Sequence, residues 1–143
     1  MEITSPHTDE EFQQYYKLRW EILRKPWKQP RGSEQDAAES NAYHIMAMEN
    51  KQIIGVARLE FPQPQITQLR YMAVSTPYQQ RGAGREMLQH MEDYAKSELI
   101  GEIYLHAREN AMGFYKKMGY QVIEKSHLLF NTVQHYKMNK ILW

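Results

Sequence analysis

The chain has 143 residues, 42% of them hydrophobic, with 18 basic and 17 acidic side chains and no cysteine. That length suits one domain of about 100–200 residues, and the balanced charge offers a polyanion such as duplex DNA no overall attraction, which excludes a large nucleic-acid footprint. The absence of cysteine removes disulfides, thiolate metal sites and a cysteine nucleophile together.

The opening MEITSPHTDEEF carries acids where a secretory leader needs basic residues. No apolar run approaches the roughly 18 residues of a membrane span, so the expectation is a cytoplasmic protein with no membrane partner. The first periodic segment runs from about Glu11 to Arg24, with Phe12, Tyr15, Tyr16, Ile22 and Leu23 at helical spacing. Thr8 and Glu11 form a capping-box start, and Pro26 supplies the stop. KPWKQPRGSEQDAAES then reads as a long loop with a short helix around Ser33 to Glu39; long loops in compact domains often wall a pocket.

From Ala42 the period changes to that of strands. AYHIMAME and QIIGVARLEF form a hairpin about the turn NK, and ITQLRYMAV is a third strand ended by Pro77. A helix from about Gly84 to Ser97 puts Met87, Leu88, Met91, Tyr94 and Ala95 on one face. EIYLHA is a short strand. NAMGFYKKM is a short helix whose Ala111, Phe114, Tyr115 and Met118 fall at i, i+3, i+4 and i+7, with Gly119 suited to the left-handed residue beyond its end. Strands near 120–124 and 134–141 close the chain. The order predicts a single α/β (α+β) domain over residues 1–143, with a mixed, mostly antiparallel sheet flanked by helices.

YQQRGAGREML, from Tyr78 to Leu88, lies between a strand and a helix. Backbone amides and the positive end of the helix dipole converge there, so the segment suits an anion. Gly82 and Gly84 admit a ligand close to the backbone, and Arg81 and Arg85 offer charged donors, so a diphosphate fits better than a carboxylate. The competing reading is a tight turn with solvated arginines. No G-x-x-x-x-G-K-[ST] string occurs, and Met87 stands where a dinucleotide-binding fold needs its third small residue.

Gln79, Gly82 and Gly84 match the Q/R-x-x-G-x-G/A motif of the GNAT superfamily of N-acetyltransferases, and ENAMGFYKKMGY, from Glu109 to Tyr120, resembles that family's later signature. LRWEILR, VARL, LHA and QHYKM resemble the ElaA-like branch within it. The resemblance spans essentially the whole chain and implies a GNAT-type fold, acetyl-coenzyme A as acyl donor, no metal, and a small-molecule or peptide amine as acceptor. By the same resemblance, Met72, Ala73 and Val74 lie along the pantetheine arm. Gln79, Gln80, Arg81, Gly82, Ala83, Gly84 and Arg85 hold the pyrophosphate, Asn110 binds the cofactor arm, and Tyr115 stands near the sulfur. A homodimer is a further expectation at family level.

Without cysteine, direct attack by the amine on the thioester is the simplest route. The family suggests a backbone N–H near Met72 as oxyanion donor. Tyr115, protonated at neutral pH, suits the general acid, while its apolar-face position equally suits a core tyrosine. Gln68 aligns where some relatives carry a basic Glu; an amide orients but takes no proton. His135, His44 and Glu60 are then the base candidates, and His106 either joins them or points into the sheet. Arg19 interrupts the apolar stripe of the first helix. It either lays its stem over the core with its head in water or faces the acceptor pocket, and Arg58 and Arg70 pose the same choice. Trp27, Trp20 and Tyr43 are candidate pocket walls. The reading from a different class is a non-catalytic acyl-coenzyme A binding domain.

Overall fold

The computed structural model describes residues 1–143. Ten regular elements follow one another: β1 (Glu2–Thr4), α1 (Asp9–Leu23), β2 (Tyr43–Glu49), β3 (Gln52–Gln63), β4 (Ile66–Val74), α2 (Ala83–Ser97), β5 (Glu102–Arg108), α3 (Met112–Lys117), β6 (Gln121–Leu129) and β7 (Val133–Ile141). The strands form one seven-stranded mixed sheet in the order β1-β2-β3-β4-β5-β7-β6. β4 and β5 run parallel, while β1–β2, β2–β3, β5–β7 and β6–β7 pair antiparallel. No helix is long and apolar enough to cross a membrane.

Packing divides the chain into two compact units, Met1–Glu60 with Tyr71–Met91, and Phe61–Arg70 with Glu92–Trp143. In the first, α1 starts at the anticipated capping box, with Thr8 Oγ1 accepting from the Glu11 amide at 3.0 Å and the Glu11 carboxylate accepting from the Thr8 amide at 3.0 Å. Tyr15 and Leu18 from α1 pack with Met46, Val56 and Ala73. Gly55 has a packing reason: a Cβ there would meet Met87 Sδ at 2.6 Å. In the second unit, Ile103, Leu105 and Ala107 alternate inward along β5, and Tyr120 and Met138 are buried with them.

Two expectations are corrected, and one strand is added. The helix anticipated around Ser33 to Glu39 does not form; that stretch is turns, with one 3-10 turn at Glu39–Asn41. Its own carboxylates take the local amides, Glu34 from Gly32 at 2.8 Å and Asp36 from Ala38 at 2.9 Å, and so compete with helical bonding. β6 extends to Leu129 because its antiparallel pairing with β7 continues through two irregularities that the residue pattern does not announce. β1 is too short to show a period and exists by pairing with β2 at Glu2↔Met48.

Candidate active site

Between β4 and α2 the backbone takes an unusual path. A 3-10 turn, Thr76–Tyr78, has Pro77 in its first positions, and Gln79 Nε2 donates to the Val74 carbonyl at 3.0 Å, tying the loop back to its strand. Gln80 and Gly82 are left-handed, at φ 63° and 89°, with Arg81 between them. Alternating handedness of this kind turns successive amides toward one concavity. The Glu86 amide bonds the Gly82 carbonyl at 3.0 Å, so Gly82 precedes the first turn of α2 and the amides after it have no partner within the helix. A Cβ on Gly82 would find nothing within 4 Å. The loop is an open cradle of backbone donors, and its chemistry fits a diphosphate.

The first unit also holds a buried ionic cluster. Arg19 and Arg58 are both 0% exposed. Arg58 donates to Asp36 at 2.7 and 3.0 Å, to Glu39 at 2.6 Å, and to Glu60. Arg19 donates to Glu39 at 2.8 Å, to the Glu34 carbonyl at 3.0 Å and to the Tyr15 hydroxyl at 2.9 Å. Burial alone would lower the Arg58 pKa, but the Asp36 hydrogen bond and the Glu39 and Asp36 charges together raise it. Neither sequence reading of these arginines holds, since the guanidiniums are neither in water nor free to meet a substrate carboxylate. Trp27 is half-buried in the turn Lys25–Trp27 after α1, and the Trp20 indole donates to the Gln29 carbonyl at 2.9 Å. Tyr43 meets the His90 ring at 3.1 Å through its hydroxyl.

His44 belongs to this cluster. Its Nε2–H donates to the Glu39 carbonyl at 2.7 Å, and its Nδ1 lies 2.9 Å from the Tyr15 hydroxyl, whose single proton is shared between that nitrogen and the Ala57 carbonyl at 2.9 Å. Burial lowers the imidazole pKa, and both ring nitrogens are engaged. Glu60 is bound to Arg58.

Sequence reasoning passed over Tyr71, Asp36 and Glu39. Tyr71 has φ 56° within β4, a conformation that costs a bulky residue roughly 1–2 kcal/mol. Its ring lies 4.5 Å from the Arg19 guanidinium carbon and 4.7 Å from that of Arg58, and its hydroxyl donates to Asp36 at 3.2 Å. Each cation–π contact contributes on the order of 0.5–2 kcal/mol, enough to offset the backbone cost. Two arginines at apolar positions beside an acid-rich loop were the legible sign of the cluster; nothing in the alternation of ITQLRYMAV marks its kink. Met72 and Val74 are half-buried and Ala73 is buried.

In the second unit, Asn110 occupies an exposed 3-10 turn, Glu109–Ala111, directly before α3. Tyr115 on α3 is 8% exposed, with its ring 5.0 Å from Phe114 and 5.8 Å from Tyr120. Burial raises its pKa, so the phenol keeps its proton. Gly119 takes the left-handed position after the helix, at φ 95°. Tyr120 donates to the buried Glu92 at 2.9 Å, and Lys140 neutralises that carboxylate at 2.9 Å. Gln68 accepts from the Tyr104 hydroxyl at 3.0 Å.

Three imidazoles gather on β5, β6 and β7. His127 stacks on His135 at 4.3 Å and approaches His106 at 5.3 Å. His106 Nδ1 meets Ser126 Oγ at 3.0 Å, and His135 Nδ1–H donates to the Val133 carbonyl at 3.0 Å. Loss of water around the stacked rings is the first cause that lowers all three pKa values, although His127 keeps an exposed edge, and His135 is pushed down to about 4.

The Acetyltransferase (GNAT) family model matches residues 12–120, and the chain belongs to this family of acyltransferases. A relative, the uncharacterized N-acetyltransferase YjcF of Bacillus subtilis, is 24% identical over 132 residues, covering 92% of this chain and 94% of its own. Two crystal structures share the fold. Escherichia coli ElaA has a TM-score of 0.83 at 15% identity, covering 97% of this chain and 98% of its own. A GNAT family acetyltransferase from Elizabethkingia anophelis with acetyl-coenzyme A bound has a TM-score of 0.79 at 15% identity, covering 98% of this chain and 97% of its own.

Proposed function

We propose that the chain is an N-acetyltransferase that uses acetyl-coenzyme A and a primary amine of a small molecule or peptide, by direct attack of the amine. The observation that carries this reading is the open cradle at residues 79–85, whose left-handed Gln80 and Gly82 turn backbone donors toward one point. Acetyl-coenzyme A, when bound, supplies an acetyl group already activated as a thioester. Residues 79–85 would hold its diphosphate, Met72 to Val74 its pantetheine arm, and Asn110 would add a contact to that arm. Nothing in the reading calls for a metal.

The rest falls to the chain's own groups. The Met72 backbone N–H is the candidate donor to the acetyl carbonyl oxygen, where negative charge develops during attack. Tyr115, held protonated by burial, is the candidate acid for the departing thiol. An ammonium with a pKa of about 10.4 must lose a proton before it attacks. Gln68 can orient it but cannot accept the proton. His135 keeps the Nε2 lone pair outside its bond to Val133, whereas both nitrogens of His44 are engaged, which favours His135 among the named bases.

The test pairs calorimetric titration of coenzyme A with thiol release from acetyl-coenzyme A across a panel of amines. Binding together with amine-dependent thiol release is the expected result. Binding without turnover on every amine would move the chain to a non-catalytic acyl-coenzyme A binding domain, and no binding at all would remove both readings.

A further inference from the structure

β4 contains one residue whose backbone conformation its own chemistry does not favour. Tyr71 sits at φ 56°, a region that bulky residues rarely enter and that persists only when the surroundings over-determine it. The surroundings here are unusually specific. Two guanidiniums, each fully buried and each anchored on protein carboxylates, lie against the ring at 4.5 and 4.7 Å. Asp36, which accepts from Arg58 at 2.7 Å, also accepts from the Tyr71 hydroxyl at 3.2 Å.

Beyond the kink the chain is pinned independently. Ala73 packs against Tyr15, Leu18, Met46 and Val56, and the Ser75 amide bonds the Ile54 carbonyl at 2.7 Å. With the strand fixed downstream, the dihedrals of Tyr71 set the direction of the peptide N–H that follows, which belongs to Met72. Buried ion pairs are weak sources of stability and better explained where they fix a geometry.

Resting on the functional reading above, we propose that Tyr71 is a positioning residue whose clamp by Arg19, Arg58 and Asp36 holds β4 in the left-handed kink that aims the Met72 N–H at the acetyl carbonyl. Asp36 and Glu39 lie in the segment between α1 and β2, so the same clamp ties that segment to the donor. Tyr71 touches no reacting atom in this scheme; it acts through the backbone.

The test uses Tyr71→Phe, which keeps the ring between the guanidiniums, and Tyr71→Ala, which has neither clamp nor tolerance of positive φ. Three quantities are read: kcat on the best amine, the coenzyme A dissociation constant, and the backbone shifts and intraresidue HN–Hα NOE of residue 71, which report positive φ without turnover. The Phe variant is expected to keep the left-handed signature and kcat within about threefold of wild type. The Ala variant is expected to lose the signature and roughly 10- to 100-fold in kcat, with coenzyme A affinity within about twofold. If Ala does not fold, Tyr71→Gly, which permits the kink without enforcing it, is expected to show an averaged signature and a smaller kcat loss.

The assignment is overturned if the Ala variant loses kcat while residue 71 keeps its signature, if its coenzyme A affinity falls in step with kcat, or if it keeps wild-type kcat. A wild type without turnover on any amine sinks the functional reading instead, and the NMR signature still decides whether the clamp exists.

Discussion

Arg19 and Arg58 leave water as full charges, whereas His106, His127 and His135 are held as neutral rings. In the unit of Met1–Glu60 and Tyr71–Met91, each guanidinium is compensated by carboxylates within hydrogen-bond reach, and the Arg58 charge is favoured despite burial. In the unit of Phe61–Arg70 and Glu92–Trp143, the histidines meet each other, and the charges of Arg70, Arg108 and Lys137 add to burial in lowering their pKa values. A permanent charge with fixed geometry suits a framework that orients backbone and side chains. A neutral imidazole retains a lone pair, while its lowered pKa makes it a weaker proton acceptor than a free histidine.

The contrast is broken most forcefully at Arg58. Arg58→Ala leaves the partly buried Asp36, Glu39 and Glu60 without their shared partner, and is expected to cost roughly 3 kcal/mol in urea unfolding, the low end for a broken buried pair. A loss below ~1 kcal/mol would mean the carboxylates reach water and the framework reading is wrong. In the other unit, Tyr115→Phe removes the hydroxyl proposed as the proton source and little packing. It is expected to lower kcat by about 100-fold with coenzyme A affinity nearly unchanged; a matching loss of affinity in titration would reassign Tyr115 to binding.

Gly82→Val acts on the cradle. A β-branched residue at φ 89° is strained and fills the open space where the Cβ points, so coenzyme A should bind about tenfold or more weakly. Unchanged affinity by calorimetry would defeat the loop assignment. The smallest effect concerns His135. Its folded pKa of about 4 lies below the ordinary histidine value of 6.5, so the unfolded chain binds its proton first as pH falls. Stability should decline between about pH 6.5 and pH 4, by no more than on the order of 1–2 kcal/mol from this group after solvent screening. His135→Gln should flatten that part of the curve, and an unchanged slope in pH-dependent unfolding would place the proton uptake elsewhere.

Much of the fold was legible in residue order. α1 was marked by Thr8 and Glu11, and β4 by the run Ile66 to Val74 that ends before Pro77. The turn at Gly82 was legible because a left-handed position favours glycine, and the buried place of Tyr115 because it lies on the apolar face of its short helix. The short helix after Ser33 was misread because Glu34 and Asp36 spend their carboxylates on nearby amides, an outcome that propensity does not weigh. Tyr71 was invisible because its kink is enforced by partners 13, 35 and 52 residues away in sequence, at Arg58, Asp36 and Arg19.

By itself, the sequence determined what is local or periodic: the elements, the glycine that permits the left-handed turn before α2, and the lack of any thiol, which makes direct attack the simplest route to propose. Tertiary structure alone decided which charges are buried and paired. Arg19, Arg58, Asp36 and Glu39 come from α1, the segment after it and β3, and only folding brings them within hydrogen-bond reach. Their Coulomb energy depends on distance and on exclusion of water, and neither quantity exists until the chain has closed around them.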